Sequence, residues 1–253
     1  MALRREFVGC TLSIEYRNVS YAISGRTILD RLNLTIEEGE TLVLLGRSGS
    51  GKTTALKMVN ALVFPTSGQV LVNGKATTAW DVIRLRRSTG YVIQDVGLFP
   101  HFTVRRNVGL VPKLEKWEQS RIDARVNELL TQVGLNPQEH GDRFPRQLSG
   151  GQRQRVGVAR ALAADPKLLL FDEPFGAVDP VTRLELQNQF LDLRKTMRKT
   201  SLFVTHDVRE ALRLGSRVGL LHQGKLVELA QPAEFRKSTN PEALAFLAGL
   251  EEP

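Results

Sequence analysis

The 253-residue sequence contains a single cysteine, Cys10, so no disulfide can form within the chain. Aromatic residues make up only 6% of the sequence, and no basic stretch is interleaved with them, which argues against a groove that stacks nucleic-acid bases. No apolar run approaches the roughly 18 residues that a membrane-spanning helix needs. The first eight residues include two arginines with no apolar stretch behind them, so no secretory signal is predicted and a reducing cytoplasm is expected.

The charge balance is basic, with 35 lysines and arginines against 27 aspartates and glutamates and a formal net charge of +8. This balance permits nucleic acid, an anionic membrane surface or phosphate ligands as partners, and does not choose among them. The basic residues are spread along the chain, which favours a generally basic, solvated surface.

Hydrophobic patterning predicts an α/β fold. Residues 12–36 alternate polar and apolar side chains, which indicates a small antiparallel sheet. Short apolar runs typical of buried strands occur at residues 41–45, 91–93, 168–171 and 202–204. Helical spacing separates these runs, so the sequence predicts a mainly parallel sheet.

One domain covering residues 1–253 is expected, without an appended regulatory domain at the C-terminus. Its core would comprise about residues 1–97 and 160–253, including the antiparallel β part. The helical character from about residue 98 to 159 predicts an α-helical subdomain inserted into this core.

A glycine-rich loop follows the predicted strand at residues 41–45. It has the pattern glycine, four residues, then Gly-Lys-Thr, which turns backbone N–H groups toward phosphate oxygens ahead of a helix. Lys52 would reach the β- and γ-phosphates, and the Thr53 hydroxyl would bind Mg²⁺. The predicted phosphate-binding residues are Gly46, Arg47, Ser48, Gly49, Ser50, Gly51, Lys52, Thr53 and Thr54.

Two carboxylates end the apolar run at residues 168–171. A metal bound to a triphosphate needs a carboxylate nearby, and Asp172 at the end of a buried strand is placed for that role. Glu173 would then lie beside the γ-phosphate and accept a proton from, or orient, the attacking water.

Two polar residues at other strand ends complete the predicted site. His206 follows the run at residues 202–204 and is a candidate sensor of the γ-phosphate. Gln94 follows the run at residues 91–93, where it could reach the metal or the attacking water and respond to movement of the helical subdomain.

Residues 148–152, Leu-Ser-Gly-Gly-Gln, have no evident task beside the phosphate loop of their own chain. They lie in the predicted helical insertion, between the loop and the paired carboxylates. This order is consistent with a segment that faces a nucleotide held by another subunit.

In combination these motifs resemble the ATP-binding subunit of an ABC transporter over essentially the whole chain. The chain matches the Walker A loop (residues 46–53), the Q-loop glutamine (Gln94), the ABC signature (residues 148–152) and the Walker B strand with its glutamate (residues 168–173). It also matches the D-loop (residues 176–179) and the switch histidine (His206). The fold that the resemblance implies is a P-loop NTPase core with a β-subdomain and a helical subdomain.

The resemblance also implies an assembly. Two copies would pack head to tail around two Mg²⁺-ATP, with Ser149, Gly150 and Gly151 of one copy on the γ-phosphate held by the other, and Gln152 and Asp179 nearby. Separate membrane permease subunits and an extracytoplasmic solute-binding protein would complete the transporter. The chain would then lie on the cytoplasmic face of the cell membrane, and no nucleic-acid partner is expected.

Finer similarity is seen in residues 90–101, 107–114 and 152–162, which look like importers of glycine betaine, choline, carnitine and related osmoprotectants. Importers of amino acids or other small solutes share part of this pattern, and an exporter subunit is a further alternative. A nucleic-acid-associated ABC ATPase is the alternative from another class, although it typically needs a long coiled-coil insertion or two cassettes in one chain.

The sequence departs from the family pattern in two places. The family usually stacks an aromatic residue on adenine, whereas the aligned position in this chain is Ile23, with Tyr21 two residues earlier. Adenine is therefore predicted to contact Tyr21 or Ile23. Many osmoprotectant ATPases carry a C-terminal regulatory module, and no such module is expected in this sequence.

Overall fold

A computed structural model describes residues 12–94, 96–176, 178–197 and 199–250, without the side chains of Leu12, Leu193, Thr196 and Met197. The strands within these ranges are β1 (Leu12–Ile23), β2 (Arg26–Glu37), β3 (Thr41–Leu45), β4 (Ser67–Val72), β5 (Lys75–Ala76), β6 (Thr89–Val92), β7 (Leu168–Asp172), β8 (Thr200–Thr205), β9 (Arg217–His222) and β10 (Lys225–Ala230). The α-helices are α1 (Lys52–Val59), α2 (Val82–Arg87), α3 (Val104–Val108), α4 (Leu110–Leu114), α5 (Gln119–Gln132), α6 (Pro137–His140), α7 (Gly150–Leu162), α8 (Pro180–Met197), α9 (Val208–Leu214), α10 (Pro232–Phe235) and α11 (Pro241–Ala248).

Six strands form the central sheet in the order β10-β9-β3-β8-β7-β6. The pairs β9–β3, β3–β8, β8–β7 and β7–β6 are parallel, and β10 pairs with β9 in the antiparallel sense. The predicted mainly parallel sheet is confirmed. Strand β6 ends at Val92, one residue earlier than the apolar run suggests, and Gln94 lies in the turn that follows.

Strand β3 shows why the central strands contain continuous apolar runs. Its residues alternate between two hydrophobic cores, with Val43 and Leu45 in one and Leu42 and Leu44 in the other. Successive side chains of a strand point to opposite faces of a sheet. Both faces of this sheet are covered, so residues 42–45 form a continuous apolar run after Thr41.

The N-terminal sheet is antiparallel, as predicted, with the strand order β2-β1-β4-β5. The turn between β4 and β5 contains Asn73 at φ 51° and Gly74 at φ 73°. These left-handed values explain the Asn-Gly pair at this tight turn. This sheet and α1 cover one face of the central sheet.

Helices α3 to α7 form the predicted helical insertion between β6 and β7. Helix α5 buries Ile122, Val126, Leu129 and Leu130, whose spacing puts them on one face of the helix. Helix α7 continues to Leu162 and contacts the central sheet at β6. In the described part of the chain, no helix has both the length and the apolarity that crossing a membrane requires.

Tyr16 links the N-terminal sheet to the helix that follows the phosphate loop. Its hydroxyl donates a 2.9 Å hydrogen bond to Ala55 O in α1, and burial raises the pKa of Tyr16 above its usual value.

Replacing Tyr16 with phenylalanine should reduce the free energy of unfolding by about 1 kcal/mol, because one buried hydrogen bond is lost. A urea titration checks this, with Tyr21→Phe, a half-buried tyrosine on the same strand, as the matched control. An unchanged midpoint for Tyr16→Phe would contradict the prediction.

Candidate functional site

The loop between β3 and α1 has a conformation that its glycines permit. Gly51 lies at φ 103°, in the left-handed region, and a Cβ there would lie 2.7 Å from Leu29 Cδ2. A Cβ on Gly46 would collide with the carbonyl oxygen of Leu221. Both positions therefore exclude side chains, and α1 begins directly after the loop with its N-terminal N–H groups free to bind an anion.

Lys52 lies beneath this loop and is almost fully buried. Its Nζ donates to Gly46 O at 2.8 Å and to Arg47 O at 3.0 Å, so the ammonium group braces the loop from inside. Burial lowers the pKa of Lys52, and the carboxylates of Glu173 and Asp172 oppose that shift. The site thus contains a desolvated cation facing two carboxylates.

Thr53 and Asp172 are in direct contact, although 119 positions separate them. Thr53 Oγ1 donates to Asp172 Oδ1 at 2.7 Å, and the Tyr91 hydroxyl donates to Asp172 Oδ2 at 3.3 Å. Burial, followed by the neighbouring Asp172 charge, raises the pKa of Tyr91 above its usual value. Tyr91 was not predicted as a site residue, because its strand pattern indicates only a buried position.

Glu173 and His206 form the second contact of the site. Glu173 follows β7 with a left-handed φ of 45°, and its backbone N–H donates to Val204 O at 3.0 Å. This strained conformation is held by the neighbouring strand β8. The Glu173 carboxylate Oε2 lies 3.0 Å from His206 Nδ1, since β7 and β8 are adjacent and parallel.

Lys52, Thr53 and Glu173 border an open cavity of about 330 Å³. The residues that line it are Arg26, Ile28, Ser48, Gly49, Gly51, Lys52, Thr53, Thr54 and Glu173. Arg26 and Ile28 come from β2 and were not predicted as site residues, because hairpin residues carry no loop motif. Gly46 and Ser50 are not part of this lining, and Ser50 O accepts a hydrogen bond from Gly224 N–H.

Arg47 points away from this lining toward the C-terminal helix α11. Its Nε donates to Glu242 Oε1 at 2.7 Å, and His222 Nδ1 lies 3.3 Å from the same oxygen. The Arg47 guanidinium lowers the pKa of Glu242. The sequence motif offers no indication of this contact, which joins residues 195 positions apart.

The segment at residues 148–152 lies outside the described lining of the cavity. Ser149 caps α7, and a Cβ on Gly151 would collide with Thr182 in the first turn of α8. Asp179 caps α8 by accepting from Thr182 N–H at 3.0 Å, and this hydrogen bond lowers its pKa. The structure therefore packs the signature segment against the first turn of α8, the turn that Asp179 caps, outside the lining of the cavity.

Three predicted residues lie at the periphery. Gln94 is exposed, and the loop after it is held by Arg160 of α7, whose guanidinium donates to the carbonyls of Val96 and Gly97 at 2.7 Å. Tyr21 is half-buried against the N-terminal core, whereas Ile23 is 55% exposed. The pairing of β1 with β2 is irregular next to Tyr21. An adenine contact at Tyr21 or Ile23 stays a prediction.

Comparison with known proteins places these features in a family. Residues 29–176 match the ABC transporter family. The osmoprotectant import ATP-binding protein of Salmonella typhimurium is 50% identical over 82% of this chain and 54% of its own length. The glycine betaine uptake system ATP-binding protein of Escherichia coli is 48% identical over 87% of this chain and 71% of its own length.

Solved structures agree with the sequence relatives. A dimeric ATP-binding cassette in a post-hydrolysis state, bound to ADP and Pi, is 33% identical with a TM-score of 0.78. The match covers 87% of this chain and 98% of that cassette. The chain spans only about 54–62% of the length of the first three curated relatives. The family match over residues 29–176, the six motifs in order and the shared fold together show that this chain belongs to the ABC transporter family.

Proposed function

We propose that this chain is the ATP-hydrolysing motor subunit of an ABC importer. The observation that supports it most is the convergence at the carboxyl ends of adjacent parallel strands. There Thr53 contacts Asp172 at 2.7 Å and Glu173 contacts His206 at 3.0 Å, beside the buried Lys52. Ligands of open α/β sheets bind at this edge.

The phosphate loop would hold the triphosphate of ATP. Lys52 is braced by two loop carbonyls, so its ammonium is oriented before the ligand arrives and would contact the β- and γ-phosphates. The N-terminal N–H groups of α1 would add donors for the phosphate oxygens. Arg26 and Ile28 border the same cavity and would contact the nucleotide outside the loop.

The oxygen atoms of Thr53 and Asp172 fit Mg²⁺. They are hard oxygen ligands in contact at 2.7 Å, and no cluster of three histidine, cysteine or acidic residues able to hold a metal occurs within the described residues. Mg²⁺ usually takes one or two protein ligands and completes its shell with water and phosphate oxygens. When bound, the ion would neutralise charge on the β- and γ-phosphates. Gln94 is proposed as a further ligand in the closed state.

Glu173 is proposed as the base of the hydrolysis step. Its carboxylate would accept a proton from the water that attacks the γ-phosphorus, so that the bond to the leaving ADP oxygen breaks and inorganic phosphate forms. His206, 3.0 Å from Glu173 Oε2, would orient this carboxylate and contact the γ-phosphate. The hydrogen bond from Glu173 N–H to Val204 O positions both groups on adjacent strands.

Two copies are proposed to share each ATP. The signature segment lies away from the lining of its own cavity, beside Asp179 and α8, so Ser149, Gly150 and Gly151 would reach the γ-phosphate held by a second copy. Gln152 would lie behind them. The related cassette bound to ADP and Pi is dimeric, which supports this arrangement.

The proposed cargo is an osmoprotectant or another quaternary amine. Relatives at 48–50% identity are named for osmoprotectant import and glycine betaine uptake, which supports this choice. Permease subunits in the membrane and an extracytoplasmic solute-binding protein would be the partners, with this chain peripheral to the cytoplasmic face. Gln94 would transmit closure to the permease, because Arg160 joins the loop that follows it to the signature helix.

The shared-site model makes a prediction about concentration. ATP turnover per subunit should rise with protein concentration until the dimer is saturated, because each site needs residues from two copies. A steady-state phosphate-release assay across a dilution series measures this. Lys52→Ala is the control for contaminating ATPases and should abolish turnover. Turnover per subunit that is independent of concentration in a demonstrably monomeric sample would contradict the shared site.

A further inference from the structure

The hydrogen bonds that cap α7 continue from the signature segment to a buried histidine. Ser149 N–H donates to Gln152 Oε1 at 2.9 Å, and Gln152 N–H donates to Ser149 Oγ at 3.2 Å. A backbone N–H can only donate, so the Gln152 amide must present its oxygen to Ser149. This orientation turns Gln152 Nε2 toward His140 Nε2, at 3.4 Å.

The same reasoning assigns the proton on His140. Because Gln152 Nε2 is a donor, His140 Nε2 must accept, and the ring proton must be on Nδ1. Nδ1 lies 3.1 Å from Asn136 O, an acceptor that requires this proton. Both ring nitrogens are therefore satisfied by one neutral tautomer, and the residue is only 7% exposed.

A second proton on this ring would conflict with Gln152. Protonated Nε2 would face the Gln152 N–H group, so two donors would oppose each other. The available acceptor is Glu139 Oε1, which lies 3.7 Å from His140 Nε2 on the same helix. If the ring turned toward Glu139, Gln152 Nε2 would lose its hydrogen bond to His140 Nε2.

Other charged groups near this cluster are already engaged. Arg143 donates to Glu139 Oε1 at 3.0 Å, and Arg105 of α3 lies 3.5 Å from Asp142. On α7, Arg153 donates to Leu148 O at 2.7 Å. Glu139 thus already accepts from Arg143, and Gln152 remains the residue that a change in His140 would affect first.

We propose that His140 is a positioning residue for the signature segment and makes that segment sensitive to pH. The neutral ring accepts a hydrogen bond from Gln152 Nε2, and Gln152 Oε1 accepts one from the backbone N–H of Ser149 at the N-terminus of α7. Protonation of His140 Nε2 sets two donors against each other, which releases Gln152 and loosens the segment. The functional consequence rests on the proposed function, in which Ser149, Gly150 and Gly151 complete the nucleotide site of a second copy.

The first test needs no nucleotide. Long-range ¹H–¹⁵N NMR on the full chain should show His140 protonated on Nδ1 at about pH 7.5. Hydrogen exchange of the Ser149 amide, corrected for its intrinsic pH dependence, should accelerate about fivefold between pH 7.5 and 5.5, as expected for one lost hydrogen bond. A neutral ring protonated on Nε2, or exchange that is unchanged on acidification, would overturn the proposal.

Variants of His140 distinguish a role in positioning Ser149 from a general loss of stability. His140→Gln keeps an acceptor that does not titrate, so Ser149 exchange should stay within about twofold of the wild type and lose its acid acceleration. His140→Phe fills the space without an acceptor and should show about fivefold faster exchange at both pH values. His101→Gln, at an exposed position, is the matched control and should behave as wild type. If His140→Phe does not fold, His140→Gln alone decides, because persistent acid acceleration in that variant would contradict the role of His140.

ATP turnover provides the functional readout. The ATP turnover of His140→Gln, divided by that of the wild type, should be about threefold higher at pH 5.5 than at pH 7.5. The expected change is somewhat smaller than the fivefold change in the hydrogen exchange of Ser149. A constant ratio would overturn the functional part of the proposal. A wild type without any ATP turnover would refute the proposed function, whereas the exchange measurements would still decide whether His140 positions Ser149.

Discussion

Replacing Glu173 with glutamine is expected to slow ATP hydrolysis by about 10²- to 10⁴-fold, the contribution typical of a positioned general base. Glutamine keeps the size of the side chain and a hydrogen-bonding group toward His206, 3.0 Å away, but cannot accept a proton from water. Lys52 keeps its hydrogen bonds to Gly46 O and Arg47 O, so ATP should still bind and the two-copy ATP-bound state should accumulate. Single-turnover phosphate release measures the chemical step, and size-exclusion chromatography with ATP and Mg²⁺ detects the dimer.

Glu128→Gln is the matched control for this experiment. Glu128 is an exposed carboxylate on α5 that pairs with Arg125, outside the lining of the cavity. Its replacement should leave turnover unchanged. Wild-type turnover in Glu173→Gln would remove Glu173 from the proposed chemistry and leave the 3.0 Å contact with His206 as a structural feature.

Replacing Ser149 with arginine is expected to reduce hydrolysis by about 10²-fold or more, as the loss of preorganised donors to a charged transition state does. The long side chain would occupy the space where the γ-phosphate held by the second copy is proposed to lie. Nucleotide binding to the monomer should persist, because Ser149 does not line the cavity of its own chain. Equilibrium titration with a fluorescent ATP analogue and steady-state phosphate release separate the two effects.

Loss of the helix cap must be distinguished from loss of the shared site. Ser149→Ala removes the cap of α7, which costs about 1 kcal/mol, without adding bulk. Asp81→Ala removes the cap of α2, where Asp81 accepts from Ile83 N–H and Arg84 N–H. Turnover should fall much less in both variants than in Ser149→Arg. If Asp81→Ala, which loses a helix cap outside the signature segment, lowered turnover as much as Ser149→Arg, the loss would reflect helix stability instead of a shared nucleotide site.

Local patterns predicted the elements of the fold well, for reasons visible in particular residues. Strand β3 is apolar from Leu42 to Leu45 because both faces of the sheet are covered, and its glycine-rich continuation needs positive φ at Gly51. The helical stripe of α5 and the Asn73–Gly74 turn are likewise local requirements. Motif chemistry assigned Thr53 and Asp172 separately to one Mg²⁺, and their side chains lie 2.7 Å apart.

Contacts between segments that are far apart along the chain do not follow from local sequence patterns. Arg26 and Ile28 belong to a hairpin without a motif, yet they line the cavity. Arg47 matches the phosphate-loop pattern, but its side chain pairs with Glu242 near the C-terminus. A pattern specifies residue types and spacing, whereas the direction of an exposed side chain depends on which element packs beside it.

The sequence alone determined the family, the order of its six motifs and the residue types proposed to bind phosphate, Mg²⁺ and water. The tertiary structure decided which of them meet. Parallel pairing puts β8 between β3 and β7, so the ends of these strands bring Lys52, Asp172, Glu173 and His206 to one edge. The position of α6 relative to the first turn of α7 brings His140 Nε2 within 3.4 Å of Gln152 Nε2. The physical reason is that burial and hydrogen bonding act through space, and strand order and helix packing set distances that spacing along the chain does not contain.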